Sequence, residues 1–301
     1  MNHPLDRREF LSSSLAAAGT LLACGTATGA AAPEGTLPMV RWGKHDISRL
    51  LVGHNPLKGQ SYTSSQLDQE MRQWYDPNQG HDVELLQRCQ AAGINTCQMG
   101  ATAMEDVLRR FYARGGRMQW IPTFYSKPGE AKEELKRVLS MEPRPIGIQH
   151  YGGVTDTLFN KKRLDDARDT LKMFRDAGVL VGFGSHNPRA IEYAEEKGFD
   201  VDFYQCCFYQ HVHEKVWKDE ERQRMVATIR RVSKPCIAFK VLGGNRHTKT
   251  PEDLYNALKF AFDHIKPTDV VLLGMWQKYK DQVGENHGLA WKILTPGGAG
   301  S

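Results

Sequence analysis

From residue 39 onwards, short β-branched or aromatic runs alternate with longer amphipathic ones, the pattern of successive parallel strand-helix units. The apolar runs predict strands at residues 50–53, 95–99, 119–123, 146–151, 180–184, 203–208, 236–240 and 270–273. Helical periodicity predicts helices at residues 82–92, 103–114, 130–139, 163–177, 188–197, 219–232 and 251–264. Pro188 suits a first helical turn, and Gly93, Gly178 and Gly198 suit left-handed caps on the helices before them. Eight such strands predict an α/β fold of the TIM (β/α)8 type. Residues 39–49 precede the first strand with two polar turns and predict a hairpin that closes the barrel floor. A doubly wound open sheet is the competing fold, but no GxGxxG follows the first strand.

The first 24 residues follow a different logic. Asp6-Arg7-Arg8-Glu9-Phe10-Leu11 sets paired arginines before an apolar pair, and a weakly apolar run extends from Leu15 to Ala23, as in a twin-arginine signal. That run is far shorter than the ~20 residues that span a bilayer. Leu21-Leu22-Ala23-Cys24 resembles a bacterial lipobox, which makes Cys24 the expected lipid-attachment residue; simple cleavage near Ala30-Ala31-Ala32 is the alternative. Residues 25–37, rich in Gly, Ala and Thr, read as a flexible leash, and residues 38–301 as the barrel domain. The expected location is the periplasm or cell envelope, with the membrane met only through the lipid.

Roughly 265 residues then remain, the size of one α/β barrel. The net charge of +5 comes from scattered pairs such as Arg109-Arg110 and Arg230-Arg231, which read as solvated helix faces and point away from nucleic acid. Cys89, Cys97, Cys206, Cys207 and Cys236 have no CxxC spacing and read as buried thiols.

In a barrel, chemistry gathers where strands end. Those positions carry His54-Asn55, Gln98-Met99, Thr123-Phe124-Tyr125, Gln149-His150-Tyr151, Ser185-His186-Asn187, Gln205-Cys206-Cys207, Lys240 and Met275-Trp276. Clustered carboxylates are absent from this set, which argues against a two-carboxylate glycosidase and an enolase-type magnesium site. His54, His150 and His186 end strands one, four and five, yet no HxxxH spacing supports a metal, so His150 reads as a substrate-binding or acid/base residue. His211 and His213 fall on the loop after strand six. Lys240 alternates with Cys236 and Ala238, and so is expected to point into the barrel as an anion contact or a nucleophile. Aromatic residues at the strand ends suit a sugar-like ligand.

The stretch from Val40-Arg41-Trp42-Gly43 to Leu50, Gly93-Ile94-Asn95-Thr96, Gln149-His150, Ser185-His186-Asn187, Gln205, Ala238-Phe239-Lys240-Val241-Leu242 and Glu285-Asn286 together resemble the aldo/keto reductase superfamily over residues 39–294. The resemblance implies NADP or NAD as cofactor, with Ser185, Asn187 and Gln205 at the nicotinamide amide, Phe239 stacked on the ring, Glu285 and Asn286 at the adenine end, and Lys278 or Lys280 near a 2′-phosphate. It also implies a catalytic Asp, Tyr, Lys and His. Here the Asp position holds Gln98, the loop Gly100-Ala101-Thr102-Ala103 has no Tyr, the Lys position holds Phe124, and His150 alone is retained. Losing a general acid costs about 100- to 10,000-fold in rate. The resemblance therefore implies a divergent oxidoreductase on a carbonyl or sugar-derived substrate. The alternatives are a lyase, isomerase or hydratase using His150 and Lys240 with no nicotinamide, and a lipoprotein that only binds its ligand.

The lipid expectation has a direct test. In bacteria fed labelled palmitate, the full chain should take up label and its Cys24→Ala variant none; equal labelling of the two would overturn the assignment.

Overall fold

A computed structural model describes residues 35–100, 104–125, 130–209 and 218–295; Cys24 and the rest of the signal, Ala101–Ala103 and the loop with His211 and His213 lie outside the described residues. The first two strands, β1 (Met39–Trp42) and β2 (His45–Ser48), pair antiparallel as a hairpin. Eight parallel strands follow: β3 (Leu50–Gly53), β4 (Thr96–Gly100), β5 (Gln119–Phe124), β6 (Gly147–His150), β7 (Leu180–Ser185), β8 (Phe203–Cys207), β9 (Cys236–Phe239) and β10 (Val270–Gly274). They close in chain order, with β10 paired to β3, so the predicted TIM barrel is the observed one. The helices around it are α1 (Ser65–Trp74), α2 (His81–Ala91), α3 (Glu105–Ala113), α4 (Ala131–Leu139), α5 (Gly152–Asn160), α6 (Ala167–Asp176), α7 (Pro188–Glu196), α8 (Asp219–Arg231), α9 (Pro251–His264) and α10 (Gln282–Leu294).

The pleat sorts side chains into two apolar layers. Leu51, Ile121, Phe203, Ile237, Val270 and Leu272 fill the lower barrel interior, whereas Cys97, Ile148, Phe183, Tyr204, Cys236 and Ala238 pack outward against the helices. The hairpin is the floor. Val40, Trp42 and Ile47 join the interior cluster, and Trp42 stacks on Phe203 with ring centroids 5.2 Å apart. Its indole Nε1 donates to the Thr268 carbonyl at 2.9 Å. Gly182 makes room for the Phe203 ring, since a Cβ there would overlap it.

α1, α5 and α10 are additional to the helices expected from periodicity, and α6 is shorter than expected. α5 starts directly after β6 with Gly152-Gly153, poor helix formers that hide it from a periodicity reading, and the region expected as one helix at 163–177 begins only at Ala167. α5 is short, but it carries Thr155 and Asp156, both buried.

The floor contact gives a stability prediction. Trp42→Ala removes a side chain that is 3% exposed and should cost about 3–5 kcal/mol in urea unfolding. A loss below about 1 kcal/mol would mean that the barrel base closes without the hairpin.

Candidate active site

Above the aliphatic layer the interior turns polar. Gln98, Thr123, Gln149 and Gln205 are all buried. The carboxamides of Gln98 and Gln205 bond reciprocally across the barrel, each donating from Nε2 to the other's Oε1, the second of these bonds at 2.9 Å. Gln149 occupies the space that Gly184 leaves without a side chain and donates to the His150 carbonyl at 2.5 Å. An uncharged amide layer thus separates the floor from the mouth.

Around the mouth, His54 and Tyr125 form one side. His54 Nδ1 donates to the Gln98 carbonyl at 3.2 Å, which leaves Nε2 to face the Tyr125 hydroxyl at 3.4 Å. Burial lowers the His54 pKa to about 4, so the ring is neutral at physiological pH. Tyr125 packs against Tyr151 with centroids 4.3 Å apart, and the Lys58 ammonium lies 5.4 Å from the Tyr125 ring. Tyr62, which accepts a bond from Asn55 at 3.1 Å, completes the aromatic rim.

Lys240 reaches this rim by an unexpected route. Cys236 and Ala238 face the helices, so strand alternation alone would send Lys240 outward as well, correcting the expectation drawn from that spacing. The residue instead leaves β9 in the left-handed region, φ 57°, and its Nζ comes to 4.5 Å from the Tyr62 ring and 5.7 Å from the Phe239 ring. Tyr62 is left-handed too, at φ 60°. Non-glycine residues in this region cost about 1–2 kcal/mol each and collect at functional sites. Burial holds the Lys240 ammonium below the ordinary lysine range, with the charge of Asp156 acting the other way.

Asp156, on α5, is a hub that reading only the strand ends missed. Its carboxylate accepts from Ser185 Oγ at 2.5 Å, from the His186 backbone N–H at 3.2 Å and from His186 Nδ1 at 2.8 Å. Because Nδ1–H donates to the carboxylate, Nε2 carries the lone pair of the ring. The His186 ring meets Phe239 edge to face at 5.5 Å. His186 and Lys240 therefore share one aromatic platform. The Cys207 thiol nearby donates to the Tyr209 carbonyl at 2.9 Å, and burial pushes its pKa up to about 12, so it is inert.

His150 is placed elsewhere. Gln149 faces inward, so the next residue faces the helices: the His150 ring stacks on Phe183 at 5.8 Å, Nδ1 meets Thr155 Oγ1 at 2.8 Å, and Phe183 in turn packs on Phe199 and Tyr204. Of the three histidines expected to converge, the structure brings His54 and His186 to the mouth and leaves His150 behind the sheet.

The polar groups that the resemblance implies for a nicotinamide amide make bonds within the protein. Ser185 is held by Asp156, Gln205 by Gln98, and the Asn187 side chain caps α7 by accepting from Arg189 N at 3.0 Å. Of the residues implied for the adenine end, Glu285 pairs with Lys280 at 2.6 Å and Lys278 with Glu70, while the buried Asn286 Oδ1 has no partner among the described residues. Phe239 is half-buried and lies against the His186 ring and the Lys240 ammonium.

The closed strand order and this polar, aromatic mouth define a (β/α)8-barrel protein. No family model matches the chain, and no curated protein matches it. Among solved structures it is similar to a GH128 subgroup I endo-β-1,3-glucanase from Amycolatopsis mediterranei in complex with laminarihexaose, at 9% identity over 70% of this chain and 92% of that one, TM-score 0.39. It is also similar to phospho-2-dehydro-3-deoxyheptonate aldolase from Thermotoga maritima, at 11% identity over 86% of this chain and 73% of that one, TM-score 0.45.

The buried histidines set a pH dependence. His54 and His150 titrate near 4 in the fold, both lowered by burial, against 6.5 for the unfolded chain. Between those values the unfolded state binds more protons, so stability is full above pH 6.5 and falls on acidification towards pH 4. Each group contributes on the order of 3 kcal/mol to that fall. Urea unfolding across this window should show it, and His150→Gln should remove about half; an unchanged slope in the variant would refute the assignment.

Proposed function

We propose that this barrel is an enzyme that moves a proton at the carbon beside a carbonyl, on a small sugar-derived substrate, as a lyase, isomerase or hydratase without nicotinamide. The observation that carries the reading is the Asp156 hub: a carboxylate bonded to Nδ1 fixes the His186 tautomer and orientation, and leaves Nε2 as a general base at the mouth. Tyr62, Tyr151 and Phe239 offer ring faces of the kind on which the apolar side of a sugar stacks. Tyr125 holds its hydroxyl against His54 Nε2 at the same mouth.

The reductase reading is supported by the resemblance and by Phe239 at the mouth. It requires Ser185, Gln205 and Asn187 to give up the bonds described above, and so stands second. Export through the twin-arginine route, with lipid on Cys24, belongs to the same proposal, since a reaction that needs no soluble nicotinamide suits a compartment where that cofactor is scarce.

A deuterium-exchange assay decides between the readings. Incubated in D2O with a panel of ketoses, aldoses and 2-keto sugar acids, the protein should catalyse loss of the proton next to the carbonyl, read by proton NMR. His186→Ala should slow this about 100- to 10,000-fold, and Asp156→Asn should slow it less. If the panel shows no exchange while NADPH binds and raises the melting temperature, the proton-transfer reading is wrong and the reductase reading takes its place.

A further inference from the structure

We propose that Lys240 acts by covalent catalysis, its Nζ condensing with the substrate carbonyl to form an iminium over the Phe239 ring. The inference deepens the proton-transfer reading and rests on the same site. Its first support is positional. Lys240 turns over the mouth only because its backbone is left-handed, and a bond from Gly243 N to the Lys240 carbonyl at 2.9 Å fixes that turn. A surface lysine gains nothing from such a conformation, whereas a group that must meet a bound carbonyl gains a defined position.

The second support is the environment. Nζ lies within 6 Å of two aromatic rings, Tyr62 and Phe239, at 4.5 and 5.7 Å. Burial at this position desolvates the ammonium, which outweighs the attraction of the ring faces and of the Asp156 charge and raises the fraction of neutral amine, the form that attacks. The third is the shared platform: His186 approaches the same Phe239 ring at 5.5 Å. A carbonyl carbon bound to Nζ above Phe239 directs its neighbouring carbon towards the base.

The chemistry balances within the site and bulk water. The Nζ lone pair attacks the carbonyl carbon, the carbon-oxygen π pair moves to oxygen, and a proton passes from nitrogen to that oxygen. The carbinolamine then expels its hydroxyl, which takes a proton from water at the mouth and leaves as water, while the nitrogen lone pair forms the iminium. When His186 Nε2 removes the adjacent proton, the carbon-hydrogen pair becomes the double bond of an enamine and the iminium π pair returns to nitrogen. Return of that proton to the same carbon, or its transfer to a departing β-hydroxyl that leaves as water, regenerates an iminium, whose hydrolysis releases product and restores the Lys240 amine. The substrate class that fits is an open-chain aldehyde or ketone of a sugar or sugar acid. Lys58, over the Tyr125 ring, is the natural control because it is also half-buried at the rim but sits in an ordinary helical turn.

Borohydride trapping tests the proposal. The full barrel is incubated with pyruvate or with glyceraldehyde, reduced with sodium borohydride, digested and mapped by mass spectrometry. The peptide with Lys240 should gain the mass of the probe less one oxygen atom, roughly tenfold or more above any other lysine. Lys240→Arg should lose this adduct and Lys58→Arg keep it. His186→Ala should trap normally yet fail to exchange deuterium. Labelling of Lys240 no greater than that of surface lysines with both probes overturns the proposal, as does full deuterium exchange in Lys240→Arg. Trapping without exchange would instead leave the iminium standing and refute the proton-transfer reading.

Discussion

Everything above the barrel floor depends on one packing constraint: the Phe203 ring fills the space beside Gly182, and Trp42 closes it from below. A barrel of eight strands has an interior just wide enough for side chains to fill. Once Phe203, Ile121, Ile237 and Leu272 occupy the lower layers, no ligand can enter from that end. The hairpin excludes water there, and the upper layer is the place left for polar groups. Gln98 and Gln205 satisfy each other in that layer, which removes the cost of burying two amides and presents no net charge to the groups above.

An uncharged layer matters because the mouth handles charge with few groups. Asp156 is buried, and its oxygens are spent on Ser185, the His186 backbone and the His186 ring. Those bonds satisfy its buried oxygens. Lys240 lies where the field of that carboxylate works against the desolvation of its ammonium. A charged residue in place of Gln98 or Gln205 would disturb this balance between base and amine.

The architecture was legible in the chain because strand and helix differ in period, and eight apolar runs in alternation with amphipathic ones leave little choice of topology. The individual site was less legible. Strand-end reading found His54, His186 and Lys240 but could not tell inward from outward, because one residue of phase reverses the face. His150 was expected at the mouth and lies against Phe183 and Thr155 instead. Lys240 was expected to follow its strand, and reached the mouth only through a left-handed backbone that no spacing encodes. Asp156 escaped notice because it sits one turn into α5, a helix that opens on two glycines. The signal available was Thr-Asp closely following a histidine-bearing strand end, meaningful only once the helix is known to fold back over the mouth.

The resemblance to reductases also takes on a physical meaning at this point. Its positions Ser185, Asn187 and Gln205 are present in sequence, yet each serves the protein itself: a serine that orients a carboxylate, an asparagine that caps a helix and a glutamine that completes an amide pair. The positions of the Asp and Lys that the resemblance implies beside a catalytic tyrosine hold Gln98 and Phe124 here, and burial raises the Tyr125 pKa. Removing those charges from the barrel interior makes proton donation by tyrosine harder and shifts the electrostatic asymmetry of the mouth to Asp156 and Lys240. A base held by a carboxylate and a desolvated amine, both against the Phe239 ring, form the arrangement on which the proposed movement of electrons from a carbon-hydrogen bond into nitrogen rests.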